Sequence, residues 1–268
     1  MDIKTKLKDL EKKHNIKIIY AVESGSRAWS MASKDSDYDV RFVFYRPMDR
    51  YISIKPDKEV IDCMFDKEWN PVSSGAEYDF LGFDLRKYCK LLSASNPSAV
   101  EWLKSPIVYV GNPNKVLYEW VHAHFNPLSL YHHYRSMCKQ NYLKYIKSGE
   151  SLTYKKYLYA MRGLVNAKYV EHAKHIPPIG FNHTLNASSD FIPSSIIDGL
   201  KDIIKLKKKG NERDIQHNDV RFDTYIEEFL KSEAEILSAK SINDDLDKEV
   251  QKIILTGENK CLKYPKMK

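Results

Sequence analysis

Two aspartates one residue apart, Asp37 and Asp39 in "SDYDVRF", follow a Gly-Ser pair, Gly25 and Ser26 in "GSRAW". Carboxylates two apart at the start of a strand point to one face. Crowded there, they repel unless a cation sits between them. Hard divalent ions such as Mg²⁺ favour oxygen donors of this kind and share their coordination with substrate phosphates. A Gly-Ser turn between a buried strand and a helix aims backbone N–H groups at an anion, and the Ser26 hydroxyl adds a donor. Together these groups suit metal-assisted chemistry on a phosphoryl group. Two ions about 3.5–4 Å apart can activate a hydroxyl and stabilise a pyrophosphate leaving group. Singly, a Gly-Ser pair is an ordinary turn and Asp-x-Asp an ordinary strand end. Their order carries the information.

That order depends on the elements around them. Ile3, Leu7 and Leu10 fall at helical spacing and predict an amphipathic first helix. "IKIIYAV" (16–22) is a β-branched buried strand that ends at the Gly-Ser turn. "YDVRFVFY" (38–45) alternates and predicts the strand that carries Asp39, with Asp37 just before it. Arg41 falls on the same face by period two, where it neutralises the acidic pair or touches substrate. "EVIDCMF" (59–65) and "AEYDFLGF" (76–83) are further strands. Asp84 reads as the N-cap of "LRKYCKLLSAS". A short helix, "NPSAVEWL", and the strand "IVYVGNP" (107–113) complete a mixed sheet with flanking helices. From Lys115 on, apolar residues recur three and four apart between proline and glycine breaks, which predicts helices only. The expected architecture is α+β: a sheet domain over 1–113 and a helical C-terminal domain over 114–268.

A formal net charge of +7 favours an anionic partner. The densest basic runs are Lys205–Arg213 and Lys260–Lys268, and lysine runs of this kind are most often solvated faces or tails. Cys63, Cys89, Cys138 and Cys261 are scattered, with no C-x-x-C pair, which argues against a zinc site or a disulfide framework. No apolar run approaches the roughly 20 residues that cross a bilayer, and the N-terminus lacks the apolar centre of a secretory signal. A cytoplasmic protein is expected. His122, His124, His132 and His133 are scattered in helical register and are read as structural.

Strand, Gly-Ser turn and Asp-x-Asp strand, in that order, resemble the DNA polymerase beta-like nucleotidyltransferase superfamily. "GSRAW", "SDYDVRF", "DLRKYCKLL", "SNPSAVEWLKSPIVY" and "KKYLYAMR" resemble more specifically the RlaP-type nucleotidyltransferases of bacterial and phage RNA repair operons, from about residue 17 to 181. Ser30 departs from that pattern, which commonly has glycine after the tryptophan. The resemblance implies a nucleotidyltransferase fold and two-metal (Mg²⁺) transfer of a nucleoside monophosphate from an NTP to an acceptor hydroxyl, with RNA as the expected acceptor. It assigns Gly25 and Ser26 to the triphosphate and Asp37 and Asp39 to both metals. A third carboxylate from a neighbouring strand completes the set. Asp79 is the first choice, because it lies on a strand candidate just before the "LRK" helix; Asp62, Glu77 and Asp84 are alternatives. AMP transfer to a protein or small molecule, and an inactive nucleotide- or RNA-binding module, are the competing functions.

Arg27 has two readings, a phosphate partner or an ion pair with Asp35 or Glu23. Trp29 stacks a base or packs beneath the turn. In "YKKYLYAMR", Lys155, Tyr159 and Arg162 share one helix face and can close over the nucleotide, the alternative being a solvated face. Lys87 is a weaker candidate of the same kind.

Overall fold

The computed structural model describes residues 1–148, 152–209, 219–236 and 244–257. Asp2 caps the first helix, α1 (Ile3–His14), by accepting the Thr5 amide at 2.7 Å, and Asn15 ends it at φ 48°. The next apolar run forms β1 (Lys17–Glu23), one residue later than its sequence pattern predicts. A single turn of helix, α2 (Gly25–Ala28), leads towards β2 (Tyr38–Tyr45), whose bounds match its alternation. After the short α3 (Met48–Tyr51) come β3 (Val60–Phe65), β4 (Pro71–Val72) and β5 (Tyr78–Asp84). β4 pairs with β3 and has no signal in the sequence, because two residues carry no periodicity. Helices α4 (Leu85–Ser93) and α5 (Pro97–Leu103) precede the last strand, β6 (Val108–Gly111).

The six strands lie in the order β4-β3-β5-β2-β1-β6. β2 and β5 run parallel, and the other neighbours are antiparallel. Alternation sends Val40, Phe42, Phe44 and Phe80 to one face, where they pack with Ile18, Ala21 and the α1 residues Leu7 and Leu10. Tyr20, Val22 and Val43 bury the other face beneath Tyr88 of α4 and Trp102 of α5. By the same period, Asp39, Arg41 and Asp79 belong to this second face.

The rest of the described chain is helical: α6 (Lys115–His124), α7 (Pro127–Asn141), α8 (Tyr154–Ala173), α9 (Phe181–Ala187), α10 (Ser194–Lys208), α11 (Val220–Lys231) and α12 (Asp244–Thr256). A turn of π-helix, Tyr142–Ile146, prolongs α7. α8 is the hub: Leu158, Met161, Leu164, Val165 and Val170 are buried, and one continuous apolar core runs from Ile19 in β1 to Ile253 in α12. Among the described residues no helix is long and apolar enough to cross a membrane. Cys63, Cys89 and Cys138 are free thiols. Cys261, the run Lys260–Lys268 and the end of the run Lys205–Arg213 lie outside the described residues.

Candidate active site

Parallel pairing of β2 with β5 sets Asp39 directly opposite Asp79. Between them lies Arg41. Its Nη2 donates to Asp39 Oδ1 and to Asp79 Oδ2, each at 2.8 Å. Its Nη1 donates to the Asp79 carbonyl at 2.9 Å and to the Val40 carbonyl at 3.2 Å. Burial raises the Asp39 carboxyl above the ordinary range; Arg41 opposes that rise, Asp79 and Asp37 add to it, and Lys155 opposes it. Asp37 is exposed, just ahead of β2.

The Gly-Ser turn presses against this pair. Gly25 has φ +57°, and a Cβ there would lie 1.9 Å from Asp39 Oδ2. Only glycine combines that backbone with such an approach. The Ser24 amide donates to the Asp39 carbonyl at 2.8 Å, which ties the turn to the strand. Ser26 is buried in α2, where the amides that open a helix lack intrahelical partners. Ser30 also lies in the left-handed region, at φ 60°. That conformation disfavours side chains, so it explains the glycine common in the resembled pattern, and serine here carries its cost. Ser30→Gly is expected to stabilise the fold by ~0.5–1 kcal/mol, read as a higher urea midpoint with an unchanged slope.

Glu23, at the end of β1, supports the pair from behind. It is fully buried; Oε1 accepts the Asp39 amide at 2.7 Å and Oε2 accepts the Tyr109 hydroxyl. Burial pushes its carboxyl up, and the Tyr109 and Asp39 hydrogen bonds pull it back. Sequence reasoning offered Glu23 only as an ion-pair partner for Arg27, not as support for Asp39. The available signal was a carboxylate closing an otherwise apolar strand immediately before the Gly-Ser turn.

Arg27 is held mainly by backbone carbonyls, while its charge also reaches Glu23. It donates to the carbonyls of Asp37 and Ser36, at 3.2 and 2.5 Å, and lies 3.7 Å over the Tyr38 ring. Neither sequence reading describes this: Arg27 clamps the loop that delivers Asp37. Among the alternatives for the third carboxylate, Asp84 caps α4 through the Arg86 amide (3.0 Å) and accepts from the Tyr51 hydroxyl (2.7 Å). Asp62 is exposed on β3, opposite Leu81 and one strand further out. Glu77 precedes β5 and lies 4.0 Å from Lys67.

The helical part closes the other side of a cleft of about 570 Å³. Gly25, Asp39 and Arg41 line it, together with the apolar Leu81, Phe83 and Met137. Lys87 also lines it, with its ammonium 5.8 Å from the Phe83 ring centre. Lys155 and Tyr159 are half-buried on α8, and Tyr159 meets the Trp29 ring edge-on at 5.8 Å. Arg162 is buried. Its Nη2 donates to Glu101 Oε1 at 2.5 Å, and its guanidinium lies 3.7 Å over Trp29. The Trp29 indole N–H donates to Glu101 Oε2 at 2.8 Å, and Tyr134 completes the set on Oε1 at 3.0 Å. Trp29 and Arg162 thus tie α8 to the turn through Glu101, and both also line the cleft. Glu101, a buried acid in an apolar helix, is the partner that helical spacing could not supply. Arg162→Ala removes that acid's ion-pair partner, leaving only the Trp29 and Tyr134 hydrogen bonds, and is expected to cost about 3 kcal/mol, read from the denaturant midpoint.

Among the described residues no three His, Cys, Asp or Glu side chains stand together as a metal cluster. The donors nonetheless fit a hard cation in kind. Two carboxylate oxygens already converge on one positive centre, the Arg41 guanidinium, and Asp37 lies within electrostatic reach of Asp39.

A strand, a Gly-Ser turn pressed onto an aspartate and a second aspartate on the adjacent parallel strand define a polymerase beta-like nucleotidyltransferase. The chain matches the RlaP family, described as the RNA repair pathway DNA polymerase beta family, over residues 1–253, and it belongs to that family. It is 32% identical over 257 residues to the uncharacterized protein YcgL of Bacillus subtilis (strain 168), covering 93% of this chain and 92% of that one. A crystal structure of a nucleotidyltransferase-like protein from Exiguobacterium sibiricum 255-15 aligns over 96% of this chain and 77% of its own, with 12% identity and a TM-score of 0.30.

Proposed function

We propose that this nucleotidyltransferase moves a nucleoside monophosphate from an NTP to a hydroxyl of RNA, releasing pyrophosphate, with Mg²⁺ held by Asp37, Asp39 and Asp79. The observation that carries this reading is the convergence of Asp39 and Asp79 on one cationic point, beside a glycine that only a bare backbone could bring so close. The metal would supply charge neutralisation at the transferred phosphate. The opening amides of α2, at Gly25 and Ser26, receive the triphosphate. Lys155, within electrostatic reach of Asp39, approaches from the helical side and adds positive charge there. Asp79, more exposed than Asp39, takes the proton of the acceptor hydroxyl. Leu81, Phe83 and Met137 give the nucleoside an apolar wall. Residues 1–113 carry the chemistry, and the helical part closes over it through Met137, Tyr159 and Arg162.

The family's RNA repair context and the net charge of +7 favour RNA over other acceptors. Incubation with α-labelled NTPs, Mg²⁺ and RNA tests this. Label is expected on the RNA. Label on protein or on a small molecule, with none on RNA, overturns the choice of acceptor.

A further inference from the structure

The guanidinium of Arg41 occupies the point on which the two carboxylates converge. A single nitrogen, Nη2, contacts Asp39 Oδ1 and Asp79 Oδ2 at 2.8 Å each. Two carbonyls, of Asp79 and Val40, anchor the other nitrogen, and the side chain is only 13% exposed. We propose that Arg41 is an internal counter-cation, and that a divalent cation binds Asp39 and Asp79 only by displacing its guanidinium. This rests on the reading of Asp39 and Asp79 as the cation-binding pair.

The argument is one of space and charge. A divalent ion binds carboxylate oxygen at about 2.0–2.6 Å, so it needs the position that Nη2 fills. Two facing carboxylates with no cation between them repel, and one tends to take a proton. Arg41 supplies that cation, and its guanidinium does not deprotonate. The arrangement holds both acids aimed at one point before any metal arrives, and it weakens metal binding in the empty protein. Arg41 lines the same cleft as Gly25, so once released it remains within the cleft. Its planar fork there matches a phosphate. Nucleotide that engages the released guanidinium therefore favours metal binding, and by linkage metal favours nucleotide to the same degree.

The test is Mn²⁺ binding without nucleotide, measured by the loss of the free-ion electron paramagnetic resonance signal, in wild type, Arg41→Gln, Arg41→Lys and Asp39→Asn. Arg41→Gln is expected to bind Mn²⁺ about tenfold more tightly than wild type, since it removes a positive charge in contact with both ligands. Arg41→Lys keeps a charge but loses the fork, so it is expected to fall between the two, and it serves if the glutamine variant does not fold. A larger rise in melting temperature on adding Mn²⁺ to the variants than to wild type is the second expected reading. Arg41 variants that bind no more tightly than wild type, while Asp39→Asn loses Mn²⁺, overturn the counter-cation role alone. Asp39→Asn binding as well as wild type overturns the reading of the pair itself.

Discussion

Asp39→Asn is expected to abolish nucleotidyl transfer, by about 10³-fold or more, while the melting temperature in metal-free buffer at neutral pH holds or rises. The two effects have one cause. The Asp39 carboxyl is raised above the ordinary carboxylate range, mainly by burial, and the nearby Arg41 does not cancel that effect. A carboxyl whose folded pKa lies above its unfolded one binds protons more tightly when folded. Its contribution to stability therefore falls as pH rises through the window between the two values. At neutral pH the ionised group carries that cost in full. Asparagine removes the charge and keeps an oxygen for Arg41. Metal binding needs the carboxylate, so at subsaturating Mg²⁺ the acid limb of the rate profile is expected above the ordinary aspartate range. A melting temperature well below wild type in metal-free buffer would contradict this account.

Gly25→Ala is expected to reduce transfer at least ~10²-fold and also to lower stability, opposite in sign to the effect of Asp39→Asn. Its Cβ would lie 1.9 Å from Asp39 Oδ2 and 2.8 Å from Asp39 Cγ, so the carboxylate or the turn must move. The backbone at φ +57° adds about 1–2 kcal/mol of its own. Circular dichroism separates the two losses: the folded spectrum remains while kcat falls and the unfolding midpoint drops. Wild-type kcat in this variant would mean that the turn does not position Asp39.

What could be read from the sequence was local. The strand that carries Asp39, the Gly-Ser turn before it and the Asp84 cap each depend on periodicity or on one turn of backbone, and a sequence displays both. Asp79 is different. Its place opposite Asp39 follows from β5 lying parallel beside β2 while β3 pairs outside it, and strand order is not written in any segment. The α8 face was readable from spacing, but what it meets was not. Arg162 is spent on Glu101 and Trp29, whereas Lys155 reaches the field of Asp39. Arg41 beside Asp39 was readable from period two, but its reach to Asp79 and the Glu23 hydrogen bond to Asp39 were not, since each acts across strands that chain order does not pair.

The most direct test of the central claim is Mg²⁺-dependent pyrophosphate release from NTP by wild type, Asp39→Asn, Asp79→Asn and Asp62→Asn in the presence of the acceptor. The account predicts loss of about 10³-fold or more in the first two variants and wild-type rates in Asp62→Asn, whose side chain is exposed on the outer strand β3. Wild-type release by Asp79→Asn, or loss in Asp62→Asn with Asp79→Asn intact, would contradict it.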